Sequence, residues 1–263
     1  MDGGLFDAAA DAVVTGDEAG LKALLAEHPA LIRARSSVHG ATLLHYVAAN
    51  GVEDVRQKTP LNAPAILSLL LEAGADANAT AEFYGRAAST LCLLVSSAHP
   101  HQAGLQAQLA EQLLDAGAHG EDALETALAS GYSDTAQHLA KRLPVDSLPV
   151  AAGLGLTDRF EALLPQASAK DRHKAVALAA VHGHVAILER LTDEDFDRFN
   201  PEGFHSHSTP LHQAALAGQM GVVRWLVEHG ARTDIADAMF HGTALGWARH
   251  GGQDAVAAYL AAL

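Results

Sequence analysis

Glycines recur along this chain between pairs of short segments that carry apolar residues at helical spacing. They stand at Gly16, Gly51, Gly131, Gly155, Gly183, Gly218 and Gly251. The steps between them are 35, 80, 24, 28, 35 and 33 residues, and the long step has room for one further unit. Such self-similarity predicts a stack of helix pairs, because one pair alone cannot bury its apolar face.

The most regular unit lies near the C-terminal end. It begins with Thr-Pro-Leu-His-Gln-Ala-Ala at residues 209–215, passes Gly218, and closes with a Leu- and Val-rich segment followed by Gly230 and Ala231. Thr is a favourable helix N-cap, and Pro fits the first helical turn. This unit resembles the ankyrin repeat, whose signature is Thr-Pro-Leu-His-x-Ala. The resemblance implies helix pairs and hairpin fingers that together build a concave surface.

Weaker copies of the pattern occur at residues 40–48, 89–94 and 242–248. We therefore predict an all-α fold, an ankyrin-type helical solenoid of about eight helix pairs with short β-hairpin fingers in some repeats. The predicted solenoid is a single domain over residues 1–263. It comprises an N-terminal cap repeat (1–37), two repeats with insertions (38–118), short helix pairs without fingers (119–197) and two well-formed C-terminal repeats (198–263).

The charge balance limits the partners that this chain can bind. Its 31 Asp and Glu residues outnumber 17 Lys and Arg, which gives a net charge of −14 and argues against nucleic acids and anionic membranes. The single cysteine, Cys92, supports neither a disulfide framework nor a thiolate zinc site. No signal-peptide pattern or long apolar run stands out, so we expect a cytoplasmic protein. We expect no cofactor.

Histidine is unusually abundant, with 16 residues. His45 and His212 occupy the His position of the repeat signature, and His184 follows the glycine of its unit. The resemblance implies that these three rings bond to backbone groups and have structural roles.

Other histidines lie in the predicted fingers and are candidates for chemistry. His39, Tyr84, His205, His207 and His241 are candidate catalytic residues, since imidazole exchanges protons near neutral pH. If the finger before Thr209 is extended, His205 and His207 share one face, which is the spacing of two metal ligands. Asp237 and His241 are then candidates for further ligands. An exposed or backbone-bonded pair is the commoner outcome, so we favour no metal site.

Aromatic residues near the fingers indicate a candidate binding surface, because Trp is enriched at binding hot spots. It comprises Tyr46, Phe204, His205, His207, Phe240, His241 and Trp247. From the family resemblance, the leading hypothesis is a non-catalytic scaffold that binds a protein partner. The alternative is an enzyme or small-molecule-binding protein with a His- and Tyr-lined pocket, with or without a metal. The C-terminal helix carries little charge after Asp254, so a second copy of the chain is a candidate to cover it.

Overall fold

The computed structural model describes residues 3–263, with side chains from Gly4 onward. The chain divides into two compact units, Met1–Leu143 and Pro144–Leu263. Over the described residues the fold is mostly helical, with 17 α-helices and one two-stranded sheet. No helix in this part of the chain is long and apolar enough to cross a bilayer.

The N-terminal unit contains nine helices within the described residues. They are α1 (Gly3–Thr15), α2 (Glu18–Glu27), α3 (Leu43–Val47), α4 (Ala63–Glu72), α5 (Thr90–Val95), α6 (Ala98–Gln102), α7 (Gln106–Asp115), α8 (Ala123–Ala129) and α9 (Ser133–Leu139). Strands β1 (Thr80–Phe83) and β2 (Arg86–Ser89) pair antiparallel between α4 and α5. Short 3₁₀ turns follow α2, at Pro29–Arg33, and α3, at Asp54–Arg56.

The C-terminal unit contains the other eight helices. They are α10 (Leu148–Gly153), α11 (Thr157–Leu163), α12 (Ala169–His182), α13 (Val185–Leu188), α14 (Pro210–Leu216), α15 (Met220–Glu228), α16 (Ala244–His250) and α17 (Asp254–Ala261). Helices α10, α12, α14 and α16 pack in succession, as do α11, α13, α15 and α17. Small residues such as Ala151, Ala179 and Ala214 lie fully buried between the first set, which lets neighbouring helices approach closely.

The repeat signature works as a helix start, as predicted. Thr209 is the N-cap of α14 and Pro210 occupies its first turn. The His212 ring closes a capping box, since its Nδ1 accepts a hydrogen bond from the Thr209 backbone N–H at 3.2 Å. Its Nε2 lies 3.1 Å from the Gly242 carbonyl oxygen and donates to it. The predicted structural role of His212, a bond to the neighbouring finger, is therefore confirmed.

The glycines between paired helices also match the sequence prediction. Six of the seven have positive φ, the left-handed conformation that ends a helix at little cost in glycine. In the last unit the positive φ shifts by one residue, from Gly251 to Gly252.

One finger, at residues 80–89, is a β-hairpin of the kind predicted for some repeats. Over the described residues, strand pairing occurs only between β1 and β2, which Tyr84 and Gly85 join with positive φ at both positions. Other fingers are turns closed by one backbone bond, such as Asp237 N–H to Gly242 C=O at 2.9 Å. In this finger the Asp237 carboxylate accepts the backbone N–H groups of Met239, Phe240 and Gly242, so these groups make no strand ladder.

Candidate functional site

A pocket of about 580 Å³ opens on the C-terminal unit. Two fingers and two helices form its wall. The fingers contribute His205, His207, Met239, Phe240 and Gly242, and helices α14 and α16 contribute Gln213, Leu216, Gly246, Trp247 and His250. Its volume lies in the range that ligand and side-chain pockets occupy.

Helix caps and finger contacts fix the geometry of this pocket. The finger at residues 200–208 leads into the Thr209 cap, and the finger at 237–242 leads into the Thr243 cap. The two fingers are joined directly, because the Ala238 backbone N–H donates to the His207 carbonyl oxygen at 2.8 Å. His212 adds its bond from α14 to the second finger. The pocket is therefore held by elements that the repeat sequence itself specifies.

Asp237 is the centre of the second finger. Its carboxylate accepts hydrogen bonds from the backbone N–H groups of Met239, Phe240 and Gly242 at 2.6–2.9 Å. It also accepts one from the Trp247 indole N–H at 2.9 Å. Burial alone would raise the pKa of Asp237, but these four hydrogen bonds outweigh it and hold the pKa well below its usual range. The charged carboxylate thus locks the finger to α16.

The pocket wall is built from stacked rings. The His207 ring centroid lies 5.7 Å from that of Phe240 and 5.6 Å from that of Trp247. At the rim, Met239 and Phe240 are 60% and 69% exposed. Large apolar side chains exposed side by side next to a pocket are characteristic of binding surfaces. The arrangement can take up an apolar group against the wall that Trp247 and Phe240 form together, since their rings meet edge to face at 6.5 Å between centroids.

The structure brings four of the predicted binding residues to this pocket, namely His205, His207, Phe240 and Trp247. His241 is exposed at the finger tip but does not line the pocket. Phe204 is buried, with the Lys174 ammonium group 5.1 Å from its ring centroid, so it does not contribute to an exposed surface. Its apolar ring anchors the finger from beneath.

The finger before Thr209 is not extended, which corrects the geometry assumed for a metal site. His205 has φ +58° and lies in a turn, and its ring meets that of His207 edge to face at 6.0 Å. Asp237 has its carboxylate saturated by the N–H groups of its own finger and of Trp247. Among residues 3–263, no group of three or more His, Cys, Asp or Glu side chains is placed to hold a metal ion.

The remaining predicted residues belong to the N-terminal unit, which contributes nothing to this pocket. The His39 ring stacks on Phe83 at 6.1 Å between centroids. Tyr84 is 74% exposed and its hydroxyl donates to Asn50 Oδ1 at 2.7 Å. Tyr46 has no exposed surface, so its assignment to a binding surface is wrong. Its ring is covered by Phe6 and by the Arg56 guanidinium.

Six lining residues are not among those predicted from the sequence, namely Gln213, Leu216, Met239, Gly242, Gly246 and His250. A signal for some of them was present. Gln213 and Leu216 are three residues apart on α14, and Trp247 and His250 are three apart on α16, which places each pair on one helix face. The role of Asp237 was also detectable, because an Asp that opens a tight turn commonly accepts from the backbone two and three residues on.

Comparison with known proteins adds a family to this geometry. A family model described as ankyrin repeats, in three copies, matches residues 148–237 and 176–262. The putative E3 ubiquitin-protein ligase XBAT31 of Arabidopsis thaliana is 36% identical over 92 residues, which is 34% of this chain and 19% of that protein. The palmitoyltransferase AKR1 of Lachancea kluyveri is 32% identical over 68 residues, or 26% of this chain and 9% of that protein. The similarity thus spans about a fifth of the first relative and about a tenth of the second.

Proposed function

Because the chain is an ankyrin repeat protein, we propose that it is a scaffold that binds a partner protein through the fingers and first helices of its C-terminal unit. Ankyrin repeats generally serve as protein-interaction scaffolds. In this proposal the C-terminal pocket receives a bulky apolar side chain of the partner. The observation that carries it is the open pocket of about 580 Å³ that Trp247 and the exposed Phe240 line.

The rigidity of the pocket wall supports this proposal. Binding costs less free energy when the surface is already in its bound conformation. Here the Asp237 carboxylate ties one finger to the Trp247 indole, and the Ala238–His207 backbone bond ties the two fingers together. The partner therefore meets a preformed recess rather than a loop that it must order.

A peptide selection with a blocked pocket tests the proposal. Gly246 lies on α16 in the pocket wall, and a Cβ atom added there would meet no heavy atom within 4 Å. Leu at this position extends into the recess and also replaces a helical Gly, which favours the helix by roughly 0.5–1 kcal/mol. The matched control is Gly221→Leu, an exposed glycine of α15 outside the pocket whose added Cβ makes only an ordinary 3.6 Å contact with Val185.

The experiment selects random dodecapeptides displayed on phage against the immobilised full chain, with each variant as a parallel target. We expect the enriched peptides to contain a Trp, Phe or Leu anchor. They should bind the wild type and Gly221→Leu equally and should not bind Gly246→Leu. Circular dichroism confirms that both variants fold. Peptides that bind all three proteins alike, or a selection that enriches none, would refute the assignment of the pocket.

The catalytic alternative has weaker support. Of the five candidate catalytic residues, only His205 and His207 line the pocket. Ring contacts with aromatic neighbours dominate the surroundings of His207. This favours recognition of an apolar group over proton transfer, so the scaffold is the function that we adopt.

We also propose that the helices are arranged in eight pairs, with α6 as an addition to the third. Packing of α1 with α2, α3 with α4, α5 with α7 and α8 with α9 supports this count in one unit. The same holds for α10 with α11, α12 with α13, α14 with α15 and α16 with α17 in the other. The single continuous solenoid, the cytoplasmic location and a homodimer through α17 stay predictions from the sequence.

A further inference from the structure

The C-terminal pocket differs in charge from the chain that carries it. The chain has a net charge of −14, yet none of the residues that line the pocket is Asp or Glu. Three of them, His205, His207 and His250, are imidazoles. The nearby Asp237 carboxylate is buried and takes four N–H groups, so its acceptor capacity is spent within the protein. A carboxylate that enters the pocket thus meets hydrogen-bond donors, and no carboxylate on the wall repels it.

The imidazoles are the donors that this wall offers. The backbone N–H groups of Met239, Phe240 and Gly242 and the Trp247 indole N–H donate to the Asp237 carboxylate. The Ala238 N–H donates to the His207 carbonyl oxygen. The Gln213 amide donates to Ser208 Oγ at 2.9 Å. By contrast, the ring nitrogens of His207 and His250 make no hydrogen bond to any residue that the structure describes. His207 flanks Trp247 in the wall, and His250 lies about one helical turn after Trp247 along α16.

We propose that the partner segment carries an Asp or Glu side chain next to its apolar anchor, and that His207 and His250 donate hydrogen bonds to this carboxylate. The inference rests on the proposed function, since it specifies the partner of the same pocket. A side-chain carboxylate is favoured over a chain terminus. Terminal carboxylates are typically captured by clusters of backbone N–H groups, and here Asp237 already occupies that cluster.

Protonation of the imidazoles strengthens such an interaction. Histidine side chains gain charge between about pH 8 and 5, and hydrogen bonds between charged partners are roughly twice as strong as neutral ones. The titratable and charged groups on the elements packed around His207 are Glu202 and His205 on its own finger, Asp237 and His241 on the next, His212 on α14, and Arg249 and His250 on α16. The two acids in this set are Glu202 and Asp237, and neither lines the pocket.

The test uses synthetic peptides from the selection described above. One is a selected dodecapeptide with a Glu or Asp beside its anchor, and the matched control replaces that acid by Gln or Asn. Affinity for the full chain is measured by fluorescence polarisation at pH 8.0 and pH 6.0. We expect the acidic peptide to bind at least fivefold more tightly at pH 6.0, and the amide control to change less than twofold.

Protein variants assign the effect to the named rings. In His207→Phe a ring remains to pack against Phe240 and Trp247 but cannot donate a hydrogen bond, and His250→Gln removes the other imidazole. We expect the double variant to lose the pH response, so that its affinity for the acidic peptide changes less than twofold between pH 8.0 and pH 6.0. Selected peptides without any acid beside the anchor, or an acidic peptide whose pH response survives in the double variant, would overturn this inference and leave the apolar pocket intact. Failure to select any pocket-dependent peptide would overturn both.

Discussion

The N-terminal finger at Ser36–Ala41 and the C-terminal finger at Asp237–Gly242 follow the same backbone template. In each, the first residue donates its N–H to the carbonyl of the residue five positions on, at 2.8 and 2.9 Å. A Thr N-cap follows in both, Thr42 for α3 and Thr243 for α16. Four residues after the cap, an aromatic ring occupies the same register position, Tyr46 in one unit and Trp247 in the other.

The two aromatic residues have opposite surroundings. Tyr46 is covered by Phe6 of α1 at 5.9 Å between ring centroids and by the Arg56 guanidinium at 5.9 Å. Its hydroxyl donates to Glu53 Oε1 at 3.3 Å. Both Glu53 and Arg56 belong to the insertion that follows α3. Trp247 has no such insertion over it and faces the open pocket. The extra residues of the N-terminal unit thus convert a potential recess into core.

The largest expected effect comes from removing these two rings. Tyr46→Ala should destabilise the protein by roughly 4 kcal/mol, the range for a fully buried aromatic residue. Trp247→Ala should cost less, about 2 kcal/mol, because the ring is partly exposed and loses its bond to Asp237 together with its contacts to the His207 and Phe240 rings. Urea unfolding followed by far-ultraviolet circular dichroism measures both. Equal losses of stability would contradict the assignment of Tyr46 to the core and of Trp247 to the pocket.

Acid should act more strongly on the N-terminal signature histidine than on its C-terminal counterpart. Burial lowers the pKa of His45 to about 4, and it also lowers the pKa of His212. The two rings differ in geometry, because the His212 Nε2 donates to the Gly242 carbonyl whereas the His45 Nε2 has no hydrogen-bond partner among the described residues. The unfolded chain takes up the His45 proton near pH 6.5 and the folded chain does so only near pH 4. Stability is therefore complete above pH 6.5 and falls by roughly 3 kcal/mol as the pH drops to 4.

Urea titrations at pH 7, 6, 5 and 4.5 check this linkage. The comparison protein is His45→Gln, which retains an acceptor for the Thr42 cap but does not titrate. We expect its stability to fall less steeply than that of the wild type between pH 6.5 and 4. Parallel curves for the two proteins would mean that other groups cause the acid loss.

A smaller difference is expected at the first residue of each finger. Asp237→Ala should cost roughly 2 kcal/mol, because it leaves three backbone N–H groups and the Trp247 indole without their charged acceptor. Ser36→Ala should cost about 1 kcal/mol, since its hydroxyl accepts from only Val38 and His39. Tryptophan fluorescence monitors the first variant, because both tryptophans belong to the C-terminal unit. A loss at Asp237 no larger than that at Ser36 would refute the locking role of the carboxylate.

These contrasts show why the sequence predicts the helices better than the site. The Thr-Pro-Leu-His signature and the glycine turns are local, so the sequence of each unit specifies where its helices begin and end. Burial of Tyr46 depends on Phe6, 40 positions earlier in the chain, and on an insertion whose path no repeat pattern specifies. Extended fingers were expected from the family resemblance. In the C-terminal finger, three backbone N–H groups instead donate to the Asp237 side chain. This bonding depends on the turn that the finger adopts.

The smallest effect should come from exchanging the residues at the left-handed position of the two fingers. Gly40 has φ +65° and His241 has φ +56°, and each precedes the residue that closes its finger. A left-handed residue other than Gly costs about 1–2 kcal/mol, whereas Gly loses 0.5–1 kcal/mol of backbone entropy on folding. His241→Gly should therefore stabilise the protein by roughly 0.5–1 kcal/mol, and Gly40→His should destabilise it by about 1 kcal/mol. No heavy atom lies within 4 Å of an added Cβ at Gly40, so conformational strain alone sets that cost.

The control for this exchange is His241→Ala, which removes the imidazole but keeps the strained φ. Thermal unfolding of the three variants separates the contributions. A gain in His241→Ala equal to that in His241→Gly would assign the effect to the lost ring instead of the backbone. Because His241 does not line the pocket, peptide affinity should stay at the wild-type value in both His241 variants. If replacing His241 alters peptide affinity, the finger tip is instead part of the recognition surface.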